Sequence, residues 1–134
     1  MTERLKLKTQ GFCDIINITE KVSSVISKSK VQEGSVLVFV NGSTAGITTI
    51  EFEPGLESDL KKAFERLFPK SLEYAHNEKW GDGNGFSHVR ASFLKPDLVI
   101  PIENGKILLG TWQQIVLVDF DNRPREREVI VSVK

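Results

Sequence analysis

Val and Ile occur 13 and 11 times in this 134-residue chain, whereas Ala occurs four times. Branching at Cβ restricts a side chain on a helix and suits a pleated surface, so such a chain must bury sheet and use helices as covers. The length fits one domain, residues 1–134, and leaves no room for a second. Its 18 Lys and Arg balance 18 Asp and Glu, which argues against a basic body for nucleic acid binding. The longest apolar runs, such as Val36–Val40, are too short to cross a bilayer, so no membrane partner is expected. Met1–Lys6 carries no apolar signal segment, and the single Cys13 has no partner for an internal disulfide. A cytoplasmic protein is expected.

Periodicity orders the elements. Arg4–Thr9 alternates Leu with bases, as a half-exposed edge strand does. Ile18, Val22, Val25 and Ile26 follow the helical period behind Asn17 or Thr19 as cap. Ser35–Val40 is apolar on both alternating faces, which predicts a strand covered on both sides. After the Asn41-Gly42-Ser43 turn, Gly46–Phe52 returns as a strand, and Pro54-Gly55 opens a helix that Pro69 stops. Glu73–Ser87 is polar, glycine-rich and aperiodic, and predicts a loop long enough to be functional. Strands are predicted over Val89–Leu94, Leu98–Ile102, Ile107–Leu109, Gln114–Phe120 and Glu128–Val133, with a hairpin at Asn104-Gly105. The sum is an α+β domain with a mixed or antiparallel sheet and two main helices.

Three segments gather polar groups. The Gly42–Thr49 stretch offers hydroxyls, Thr44 among them, to an anion, and Glu51 follows late in the same strand. Both histidines, His76 and His88, lie in the next segment with Asp82 and Asn84 between them, a mixture suited to a divalent ion or to acid–base work near neutral pH. No P-loop or dinucleotide fingerprint is present, so no nucleotide cofactor is expected. In the third segment Gly110-Thr111-Trp112-Gln113 leads into a strand, and Arg123, Arg125 and Arg127 could clamp a phosphate or carboxylate. Each segment also has a plainer reading: a hairpin turn, a surface loop, or a solvated hairpin neutralised by Asp119, Asp121 and Glu126.

Tyr74-x-His76, Asp82-Gly-Asn84-Gly-x-Ser-His88, Leu-Leu-Gly-Thr-Trp-Gln113 and Asp121…Pro124-Arg125-x-Arg127 together resemble the YjbQ family of secondary thiamine-phosphate synthases. The resemblance runs from about Thr9 to Val133. It implies an α+β fold, a homotrimer, a cleft lined by the histidine segment, and the joining of a pyrimidine diphosphate to a thiazole phosphate. It casts His88, Glu51 and Asn84 as catalytic. Thr44, Gln113, Arg125 and Arg127 would bind a small phosphorylated molecule, and His76, His88 and Asp82 would hold Mg²⁺ or Zn²⁺. The family often carries His-Thr-Thr-Ala where this chain has Gly42-Ser43-Thr44-Ala45. Two other readings stay open: a metal-dependent hydrolase or isomerase, and an anion-binding trimer without turnover. The site is expected where the Glu51 strand, the His76–His88 segment and the start of the Gln113 strand meet. Trp80 and Phe86 would pin the histidine segment to the sheet.

Overall fold

The structure is a computed structural model that describes every residue from Met1 to Lys134. Twelve elements follow in order: β1 (Thr2–Thr9), β2 (Asp14–Asn17), α1 (Thr19–Ser29), β3 (Gly34–Asn41), β4 (Ala45–Glu51), α2 (Pro54–Leu67), α3 (Ala75–Trp80), α4 (Gly85–Leu94), β5 (Asp97–Glu103), β6 (Lys106–Ile107), β7 (Gln113–Asp119) and β8 (Arg125–Val133). They form a five-stranded sheet, β1-β8-β3-β5-β6, and a three-stranded sheet, β2-β7-β4. Every pairing is antiparallel. No helix is long and apolar enough to cross a membrane.

The β-branched residues fill the space between the sheets. Val36, Val38 and Val40 of β3 meet Ile47 of β4, Ile115 and Leu117 of β7, and Val129 and Val131 of β8, all essentially inaccessible. Helix α1 closes the flank with Ile18, Val22, Val25 and Ile26. A second core lies on the far face of the small sheet, where Val116, Val118 and Phe120 meet Phe64 of α2 and Ala91 of α4. Alternation along β7 thus feeds two cores from one strand. Helix α2 starts as its sequence demands. Pro54 takes the first turn, and the Glu53 carboxylate accepts the backbone N–H groups of Gly55 and Leu56.

Several expectations need correction. Glu73–Ser87 is not one loop, because α3 and the start of α4 occupy most of it, and Val89–Leu94 is helix rather than strand. The fold therefore has four helices. The inward face of α4 carries Phe86, Ser87, Arg90 and Ala91, so half of its buried stripe is polar and the apolar period is masked. Strand β3 is covered on one face only. Its outward Leu37 is 37% exposed, beside Val99 of β5 at 61%.

Candidate functional site

Register decides which expected residues meet. In the β4–β7 ladder Ala45 stands opposite Asp119, and Glu51 stands opposite Gln113 at the other end. Six residue steps at about 3.3 Å per residue separate the two ends by roughly 20 Å. The histidines belong to the Ala45–Asp119 end. Glu51 and Gln113 do not join them, contrary to the expected convergence. The Gln113 side chain instead secures its own turn, accepting the Gly110 N–H at 2.7 Å and donating to Thr49 Oγ1 at 3.1 Å.

At the Asp119 end the inter-sheet core turns from apolar to ionic. Asp119, fully buried, accepts four donors: the Thr9 hydroxyl at 2.5 Å, the Asp121 N–H at 2.9 Å, and Arg127 Nε and Nη2 at 2.7 and 2.9 Å. The two Arg127 bonds form a bidentate fork that a lysine could not reproduce. Arg127 Nη2 also donates to Thr44 Oγ1 at 2.5 Å, and the Thr44 hydroxyl in turn donates to Asp121 Oδ2 at 2.8 Å. Arg125 Nε donates to the same Asp121 oxygen at 3.0 Å and engages no other acceptor, so its two terminal nitrogens are free and partly exposed. Burial works to raise the Asp121 carboxyl, but the Thr44 hydrogen bond and the Arg125 charge outweigh it and hold the group below its ordinary range. Its Oδ1 stays buried without a donor, although the Asn84 amide lies beside it.

The turn from α3 into α4 brings His88 near this carboxylate and His76 onto His88. Asn77 Oδ1 accepts the Gly85 N–H at 2.8 Å, and a Cβ on Gly85 would stand 2.4 Å from Tyr74 Cβ, so the close approach of the two segments requires glycine. Asn84 is buried. Its Oδ1 accepts the Asn122 N–H at 3.2 Å and touches Ser87, whose hydroxyl donates to the Phe120 carbonyl at 2.7 Å. The His76 and His88 rings stack with centroids 4.3 Å apart. Burial, then the neighbouring His76, depress the proton affinity of His88. Asp82, Asp121 and the Ser43 main chain oppose them and do not prevail. His76 Nδ1 lies 3.5 Å from Asp82 Oδ1 and is itself buried without a hydrogen bond. Phe86 anchors the segment as expected, whereas Trp80 is 65% exposed and pins nothing.

Of the expected residues, Thr44, Asn84, His88, Arg125 and Arg127 surround Asp121, His76 and Asp82 join the group through His88, and Glu51 and Gln113 stand apart. Sequence reasoning undervalued Asp119 and Asp121 as surface neutralisers. A carboxylate that continues the apolar run Ile115-Val116-Leu117-Val118 was the signal that both are inside. No three His, Cys, Asp or Glu side chains are grouped closely enough to form a ready-made ligand set. At the turn where the family resemblance leads to the expectation of a histidine, a Cβ on Gly42 would stand 2.7 Å from Arg127 Nη1, so Arg127 uses the room that glycine leaves.

Residues 3–134 match the family described as UPF0047 protein YjbQ-like. The chain belongs to that family. Among YjbQ-like relatives, a UPF0047 protein of Archaeoglobus fulgidus is 38% identical over 128 residues, covering 96% of this chain and 97% of that protein. The UPF0047 protein YugU of Bacillus subtilis is 29% identical over 134 residues, covering 99% and 98%. A YbjQ-like protein of unknown function from Sulfolobus solfataricus superposes with TM-score 0.94 at 32% identity, over 99% of this chain and 95% of that one. A YjbQ/UPF0047 protein from Clostridium acetobutylicum gives TM-score 0.90 at 37% identity, over 98% and 99%. The α+β fold of antiparallel sheets and helices is therefore the YjbQ fold.

Proposed function

We propose that this YjbQ-family chain is a small-molecule enzyme acting on a phosphorylated substrate, with a condensation of the thiamine-phosphate-synthase type as its reaction. The observation that carries the reading is the pairing, around Asp121, of an imidazole stacked on a second one and lowered in proton affinity with an arginine whose terminal nitrogens are free. In such a condensation the carbon–oxygen bond to diphosphate breaks while the thiazole nitrogen lone pair forms the new carbon–nitrogen bond. The protein's task is then to receive charge on the departing diphosphate. Arg125 offers two donors for it, and Arg127 Nη1 lies at the Gly42 turn as a third. His88, low in proton affinity, presents a lone pair to the heterocycle, and Thr44, Asn84 and Asp121 hold the surrounding groups in place.

The orphaned His76 Nδ1 and Asp121 Oδ1 favour a second reading, a metal-dependent hydrolase or isomerase, because both are atoms a Mg²⁺ or Zn²⁺ ion would take. No step above runs through an ion. The open face of the large sheet around Leu37 and Val99 supports a homotrimer, in which a neighbouring copy covers it.

The test is turnover of a pyrimidine diphosphate with a thiazole phosphate by purified protein, with and without added Mg²⁺ or Zn²⁺. Arg125→Ala should raise KM, and His88→Ala should lower kcat at least about tenfold, within the scale on which a misplaced reactant loses rate. No product from the wild type under either condition, or full activity in both variants, overturns the reading. Sedimentation at the mass of a single chain refutes the trimer.

A further inference from the structure

The chain is neutral overall, yet its cations are not spread evenly. Around the segment that carries the chain from β1 to β2 lies a cavity of about 340 Å³, lined by Lys61 and Lys62 of α2, Lys70 beyond its end, and Arg90 of α4. Glu65 is the one carboxylate in its lining, so the balance there is four cations to one anion. Three of the cations are exposed lysines, which alone would mark nothing more than a solvated surface.

Arg90 is different. It is 3% exposed, and it donates Nε and Nη2 to the Phe68 carbonyl and Nη2 to Glu65. Nη1 engages no acceptor in the chain, so a buried guanidinium offers an unused donor at a cavity wall. Nη1 is not among the sealed, unpartnered atoms of the chain, so it meets solvent at this wall and an anion takes it without breaking a bond already made. The backbone at the floor adds an independent sign. Phe12 and Cys13 both hold left-handed dihedrals, with φ of 53° and 64°. Each is unfavourable for a residue with Cβ, and such outliers gather at ligand sites. The segment is held there by the Phe12 N–H, which donates to the Asp121 carbonyl at 2.7 Å. Lys70 stands over the Phe12 ring, 5.3 Å from its centroid. Cys13 is no nucleophile, because burial raises its thiol to about 11.

We propose that this cavity is a second anion site, distinct from the histidine site and built for a compact polyanion of the diphosphate class, with Arg90 Nη1 at its base and Lys61, Lys62 and Lys70 at its rim. The site does not depend on the reaction proposed above. It shares with the histidine site only Asp121, whose carbonyl holds the floor of one while its carboxylate anchors the other.

Inorganic pyrophosphate is the probe, followed by the amide resonances of Phe12 and Cys13 in ¹⁵N-labelled protein. Saturable shifts at both are expected. The Lys61→Ala/Lys70→Ala variant should raise the dissociation constant at least about tenfold. Both lysines are exposed, and surface substitutions of this kind leave the fold intact. Arg125→Ala, which disables the histidine site, should leave the constant within about twofold. Absent or unsaturable shifts overturn the proposal. So does an unchanged constant in the lysine variant, or a weakened one in Arg125→Ala.

Discussion

Replacing Arg127 with Met tests whether the ionic end of the inter-sheet core holds the fold. Met keeps much of the apolar stem but removes three hydrogen bonds, two to Asp119 and one to Thr44. The larger effect lies with what remains. Asp119 keeps the Thr9 hydroxyl and the Asp121 N–H but loses its counter-charge while fully buried. Removing one partner of a buried ion pair costs about 3–5 kcal/mol. For a domain of this size that corresponds to a fall in Tm of roughly 10–20 °C. Guanidinium denaturation of Arg127→Met, Asp119→Asn and the double variant measures it as a cycle. The double variant should be more stable than the sum of the two single losses predicts by about 2 kcal/mol or more, since neither charge is then stranded. A loss below about 1 kcal/mol in Arg127→Met, or strict additivity, would refute the reasoning.

Three further outcomes are expected. Since His88 binds a proton less readily in the folded chain than in the unfolded one, stability is full above the ordinary histidine value of about 6.5 and declines as pH falls through it. His88→Asn should flatten the denaturation midpoint between roughly pH 7 and 5, and an unchanged slope would discount the burial argument. Gly85→Ala forces a Cβ to within 2.4 Å of Tyr74 Cβ and should cost about 1–3 kcal/mol by thermal melting. Glu53→Ala removes the carboxylate that caps α2 and should cost about 1 kcal/mol, read as a small shift in the chemical midpoint with unchanged slope.

The strands were legible where one face alone decides the register. Leu5 and Leu7 turn inward from β1 and the lysines outward, as their alternation required. Helix α2 was legible from its Pro54 start and Pro69 stop. Helix α4 was not, because Ser87 and Arg90 face inward to satisfy the Phe120 and Phe68 carbonyls, a use of polar residues that periodicity scores as exposure. The site divided the same way. His76, His88, Asp82 and Asn84 were found together because they are near in sequence. Glu51 and Gln113 were misplaced because only the β4–β7 register shows that they pair with each other, far from the histidines. Asp119 and Asp121 needed long-range information too, since their partners Thr9, Thr44, Arg125 and Arg127 come from three separate segments.

Strand β8 comes last of the twelve elements in chain order, yet it sits between β1 and β3 in the large sheet. Its pairing reaches from Thr2 to Ser132, nearly the whole chain. A nascent chain on the ribosome therefore holds β1 and β3 with bare edges, and the first core stays unsealed until residues 125–133 emerge. Arg127 arrives in that same stretch, so Asp119 waits for its counter-charge until β8 is made, and a chain halted before residue 125 would present both bare edges to any chaperone at hand.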